Sequence, residues 1–146
     1  MGTTAYGDLP SGALVGPNIS HASVASNGAS ASFNNIGANV WRAPQNGVVV
    51  SAWWEPTGAD AAGTSAASFR TLTIRNGSTD GLGTAVLASL VLSASLASNT
   101  TRAFTLATTP TFSAGQVIAA HQAATGTDAE DTVLVAGRFQ VNWRPI

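Results

Sequence analysis

An all-β fold is what this sequence predicts, and three observations predict it. Short runs alternate apolar and polar residues with a period of two from about Ser30 onward, clusters of Asn, Gly, Pro, Asp and Ser separate them, and β-branched residues fill them. About eight such runs at fairly regular spacing fit one sandwich or barrel over residues 21–146. Residues 1–20, with Pro10, Pro17, scattered glycines and little periodicity, predict an extended N-terminal arm.

Taken in order, the first candidate strand covers residues 38–43. Residues 48–55 come next, with Val48, Val50, Ala52 and Trp54 on one face and Val49, Ser51, Trp53 and Glu55 on the other. In residues 69–75, Leu72 and Ile74 alternate with Thr71, Thr73 and Arg75. Residues 85–93 place Val86, Ala88, Leu90 and Leu92 on one face; the surrounding stretch 84–98 also fits a helical stripe through Val86, Leu87, Leu90, Val91 and Ala94, and the β-like flanks favour the strand. Residues 102–107 and 116–122 are further candidates. The last run sends Val135, Phe139, Val141 and Trp143 inward and Arg138, Gln140, Asn142 and Arg144 outward. Asn27-Gly28, Asn46-Gly47 and Asn76-Gly77 supply residues that tolerate positive φ in tight turns, and Pro110 and Pro145 sit at the edges of runs.

Composition then narrows the function. Six arginines, seven acids and no lysine make 9% charged residues in a 146-residue chain of net charge −1. A soluble domain carries about a quarter, so a surface this neutral suggests one covered by neighbours. The length suffices for a core without crosslinks. With no cysteine there is no disulfide, thiolate metal site or cysteine nucleophile. Scattered arginines form no basic stripe for phosphates, so no nucleic-acid partner is expected. No apolar run approaches a membrane span and no signal peptide is recognised near Met1, which leads to the expectation of a soluble chain made in the cytoplasm, with no membrane partner.

Few constellations could carry chemistry. His21 and His121 lie far apart with no ligand spacing, and are expected as polar surface or hydrogen-bonding residues. The glycine-rich residues 77–83 lack a lysine and read as a wide strand-connecting loop. Asp128, Glu130 and Asp131 could offer two or three oxygens to calcium, but without an EF-hand pattern a solvated loop is favoured, one that can pair with an arginine of the next subunit. Among the tryptophans, alternation buries Trp54 and Trp143 and leaves Trp53 beside Ser51 and Glu55, placed to meet another chain or a glycan. The candidate interface residues are therefore Trp53, Glu55, Asp128, Glu130 and Asp131, with Leu14 and Val15 of the arm. No catalytic, cofactor-binding or metal residue is assigned, and an enzyme is not expected.

The string Phe69-Arg70-Thr71-Leu72-Thr73-Ile74-Arg75-Asn76-Gly77, followed by Thr79-Asp80-Gly81 and Gly83-Thr84, resembles the strand–loop–strand segment of small jelly-roll proteins on tailed bacteriophages. Phe112-Ser113-Ala114-Gly115-Gln116-Val117-Ile118 is similar to the lead into a late strand of the same folds. The resemblance spans roughly residues 47–146 and describes a β-sandwich more than one family. It implies a jelly-roll-like form for the sandwich, and a capsid decoration (cement) protein, commonly a homotrimer, on the outside of the virion capsid and bound to the major capsid protein lattice. A carbohydrate-binding head-fibre or tail-fibre tip for host attachment is the alternative, with loop residues near Asp80 or Asp128 joining Trp53 on the sugar.

Overall fold

The computed structural model describes residues 19–24, 32–33, 41–59, 69–94, 97–125 and 137–146, and among them there are eleven strands and no helix. Six strands are long: β1 (Ile19–Val24), β4 (Gly47–Pro56), β5 (Phe69–Asn76), β6 (Ala85–Leu92), β10 (Val117–Thr125) and β11 (Gly137–Pro145). Five are two-residue pieces: β2 (Ser32–Phe33), β3 (Trp41–Arg42), β7 (Arg102–Ala103), β8 (Thr105–Leu106) and β9 (Thr111–Phe112). The number exceeds the expected eight because the run at residues 102–107 is split between the sheets and because β1, β2 and β9 lie outside the runs anticipated as strands. No helix of the described residues is long and apolar enough to cross a membrane.

The strands form two antiparallel sheets. In the first the order is β1-β11-β4-β7, with β9 also on β4; in the second it is β2-β10-β5-β6-β8, with β3 also on β10. Residues from both sheets build one core, including Val49, Ala52, Trp54, Phe139 and Val141 from the first and Leu72, Ile74, Ala88 and Ile118 from the second. The predicted strand at residues 102–107 is the place where the chain passes from one sheet to the other. β7 pairs with β4, β8 pairs with β6, and Phe104 between them is buried while its N–H donates to Ala52 O at 2.9 Å. A strand that switches sheets in this way makes a corner of a sandwich.

Two aromatic groups fill the space between the sheets. Trp54 stacks against Phe139 at 4.6 Å, with Phe104 6.1 Å from Phe139. Toward the other end, Trp41, Phe112 and Trp143 meet at 4.9 to 5.6 Å. Gly47 lies against this second group: a Cβ there would stand 2.5 Å from Phe112 and 2.8 Å from Trp143. Its glycine therefore admits two rings and is not a positive-φ turn residue, contrary to the reading of Asn46-Gly47. In Asn76-Gly77 too, positive φ falls on the following Ser78 and Gly81. Asn27-Gly28 lies outside the described residues.

β11 behaves as its alternation predicts, with Phe139, Val141 and Trp143 buried and Arg138 and Arg144 exposed; Val135 lies outside the described residues. The helix alternative fails over Ala85–Leu92, which is strand. Two face assignments need correction, each because of a bulge. On β4, Asn142 opposes Ser51 and Trp143 opposes Val49, so Val50 is an extra residue; Val49 is buried, and Val48 and Val50 are only partly so. On β6, Ile74 opposes Ala88 and Arg75 opposes Val86, which leaves Leu87 as the extra residue, buried, while Val86 is exposed. The first strand, β1, starts at Ile19, so the last two residues of the expected arm belong to a sheet, and strands begin before Ser30.

Candidate functional site

Paired residues of an antiparallel ladder share a face, and that rule assembles the outer surface of the first sheet. Trp53 on β4 is flanked by Gln140 on β11 and Ala103 on β7; Ser51 opposes Asn142, and Glu55 opposes Arg138. Polar groups join along this surface. Gln140 Nε2 donates to Asn142 Oδ1 at 3.2 Å, Asn142 Nδ2 donates to Ser51 Oγ at 2.8 Å, and Arg138 Nη2 meets Glu55 Oε2 at 3.0 Å. Trp53 is 36% exposed in the middle of them, whereas Trp54, one residue on, is fully buried. The face thus presents an indole, two amides and a hydroxyl, with the Arg138–Glu55 ion pair at one end and the exposed Arg144 beyond Asn142 at the other.

The two charges of that pair largely cancel, so around Trp53 the face is close to neutral and Arg144 adds a cation at its far end. Aromatic groups are enriched and charges depleted at the centre of protein interfaces, and the same indole-plus-amide chemistry suits a sugar ring. Sequence reasoning found Trp53 and Glu55 here. It missed Gln140, Asn142 and Arg138 as their companions, although outward alternation on β11 had already placed them; the missing step was the pairing of β11 with β4.

The loop candidates lie elsewhere. Asp80 accepts from its neighbour Leu82 N–H at 2.9 Å, and Asn76 Oδ1 accepts from Ser78 N–H at 3.0 Å, so both side chains shape the loop after β5. Arg42 ties that loop to the one before β10, donating to Thr79 O and Gly115 O at 3.3 and 2.7 Å. The latter loop also takes a bond at the start of β4, from Ala114 N–H to Asn46 Oδ1 at 2.9 Å. Trp53 stands about 20 Å further along β4, so Asp80 and Trp53 do not form one site. Leu14, Val15, Asp128, Glu130 and Asp131 are outside the described residues. Among the described residues no group of three or more metal-ligating side chains comes together.

His121 departs from expectation. It is buried, on the outer face of the second sheet opposite Thr73, on a strand flanked by β5 on one side and by β2 and β3 on the other. Arg75 donates from Nε to Thr73 Oγ1 at 3.0 Å, which brings its guanidinium toward the imidazole. Burial first, and the Arg75 charge second, hold the His121 pKa below the ordinary histidine value. Its Nδ1 has no hydrogen-bond partner among the described residues.

Comparison with protein-family models, curated proteins and solved structures finds no match for this chain.

Proposed function

We propose that this chain is a structural virion protein: a capsid decoration, or cement, protein of jelly-roll form that assembles as a homotrimer and stabilises the outer surface of a phage head. The observation that carries the reading is the outer face of the first sheet, where the half-exposed Trp53 sits among uncharged amides on a chain with 9% charged residues. Such a face is suited to contact with copies of itself and with a repeated lattice. The jelly-roll form draws support from the way consecutive strands alternate between the sheets: β4 lies in the first, β5 and β6 in the second, β7 in the first, β10 in the second and β11 in the first.

Electron cryomicroscopy of phage heads prepared with and without the chain tests this. Added density on the shell's exterior, in trimeric units, is the expected result; heads that remain bare at saturating protein overturn it. A second reading has its own observation, since Trp53 flanked by the Gln140, Asn142 and Ser51 hydrogen-bonding groups is also the chemistry that holds a sugar. On that reading the chain is a carbohydrate-binding fibre-tip module for host attachment. A glycan array separates the two, because only the fibre-tip reading expects a signal that Trp53→Ala abolishes.

A further inference from the structure

Between the edges of the two sheets runs a groove of about 400 Å³, lined by Leu90, Val91, Leu92 and Ala94 on one side and by Arg102 and Ala103 on the other. Two free strand edges face it. β8 pairs with β6 only at Ala88 and Ser89, and Ala107 N–H donates to Leu87 O at 2.9 Å. Because backbone direction repeats every two residues, Leu87, Ser89 and Val91 turn their N–H and C=O toward the same side. Leu87 and Ser89 are met there by β8; Val91, whose side chain is 55% exposed, is not met by any described strand. On β7 the Phe104 N–H is committed to Ala52 O, so by the same rule Ala103 turns its backbone groups away from β4 and toward the groove.

An unpaired strand edge is a template for another strand, and here the chain itself stops using it after Ser89. We propose that the groove receives residues 11–16 from the N-terminal arm of a second copy, added as a strand along β6 beyond β8. Three features select that occupant. Residues 11–16, Ser-Gly-Ala-Leu-Val-Gly, lie between Pro10 and Pro17 and hold no proline, so every N–H within them can join a ladder that the prolines then end. Leu14 and Val15 can meet Leu90, Val91 and Leu92 in a lining that also exposes polar groups, Ser93 and Arg102 among them. The charges are opposite: Asp8 is the one ionised side chain before Ile19, and Arg102 is the one charged residue lining the groove among the described residues.

Chain length assigns the arm to a neighbour. Ile19, Val141, Ala52 and Phe104 form one row across the first sheet, from its β1 edge to the far side. That row covers three inter-strand spacings, about 14 Å, and the groove lies beyond it. Val15 is four residues from Ile19, a reach of at most about 14 Å even when fully extended. A straight path would pass through packed side chains, so the arm cannot curl round its own sheet and place residues 11–16 along β6.

The absence of native cysteine gives a clean test on the full-length free protein. Chains carrying Leu14→Cys are mixed with chains carrying Val91→Cys, oxidised, and run on a non-reducing gel, beside a control in which Thr3→Cys replaces Leu14→Cys. A mixed disulfide between the two chains, in clear excess over the Thr3→Cys control, is the expected product. Equal yields from Leu14→Cys and Thr3→Cys overturn the proposal, and so does a Leu14→Cys, Val91→Cys double variant that closes its bond within one chain. Circular dichroism of each variant establishes that the sheets are intact before crosslinking. No phage particle enters the experiment, so it stands or falls separately from the capsid reading.

Discussion

Trp53 on β4 and Gln140 on β11 stand directly opposite each other on the outer face of the first sheet, so the indole has an amide, and not a charge, as its cross-strand neighbour. If copies meet on this face, that indole is the natural anchor. Trp53→Ala is expected to leave the fold standing, since the residue lies outside the core, and to weaken self-association by about 2 kcal/mol or more, some thirtyfold in the association constant. Sedimentation equilibrium across a concentration series measures it. An assembly unchanged by the substitution would remove Trp53 from the interface.

Gly137 begins β11 with its Cα against Glu55 O and the Trp54 ring; a Cβ would come to 2.6 Å from that carbonyl oxygen and closer still to the indole. Neither neighbour can yield, because Glu55 is held in the β4–β11 ladder and Trp54 is fully buried. Gly137→Ala should therefore destabilise the fold by about 1–3 kcal/mol, the ordinary range for overpacking. Gly58→Ala is the matched control, because a Cβ there meets nothing within 4 Å, and it should stay within about 0.5 kcal/mol of the parent. Urea midpoints for the two variants decide the matter.

Bulges mark the limit of what alternation could reveal. β11 has the inward and outward faces its residues predict, and Trp53, Trp54 and Glu55 on β4 likewise follow theirs, because the extra residue Val50 precedes them. Counting back through Val50 inverts the remainder, so Val49 is the residue that reaches the core. Leu87 does the same on β6. Neither Val50 nor Leu87 is a glycine or asparagine that would signal a bulge, and each fits a regular strand equally well, so only the partner strand reveals the mismatch. The site was half legible for a related reason: Trp53 and Glu55 are visible on one strand, whereas Gln140, Asn142 and Arg138 join them through a pairing 87 residues of chain away between Trp53 and Gln140.

His121 makes stability depend on acid. Its folded pKa lies below the ordinary value, mainly through burial and secondarily through Arg75, so as pH falls the unfolded chain takes up the proton first. Protonation then favours unfolding: this contribution is fully present above about pH 6.5, the unfolded value, and is lost progressively as pH drops below it toward the folded pKa. Thermal midpoints of the parent should fall between pH 7 and pH 5 by more than those of His121→Gln, which has no imidazole to charge. Parallel curves for the two proteins would contradict the assignment.

Gln122 is the neighbour of His121 on β10 and points the other way, sharing the inner face with the buried Leu72 of β5. It is fully buried, and neither its Oε1 nor its Nε2 has a hydrogen-bond partner among the described residues. An amide shut away from water without partners costs about 1–3 kcal/mol. Methionine has nearly the same volume and shape and no need of partners, so Gln122→Met should raise stability by about 1 kcal/mol, or some 3 °C in the thermal midpoint for a chain of this size. Differential scanning calorimetry reads the shift. An amide that does hold partners in solution would lose them on substitution, so a midpoint that falls in Gln122→Met would show that the inner face of the second sheet is built around a hydrogen-bonded glutamine.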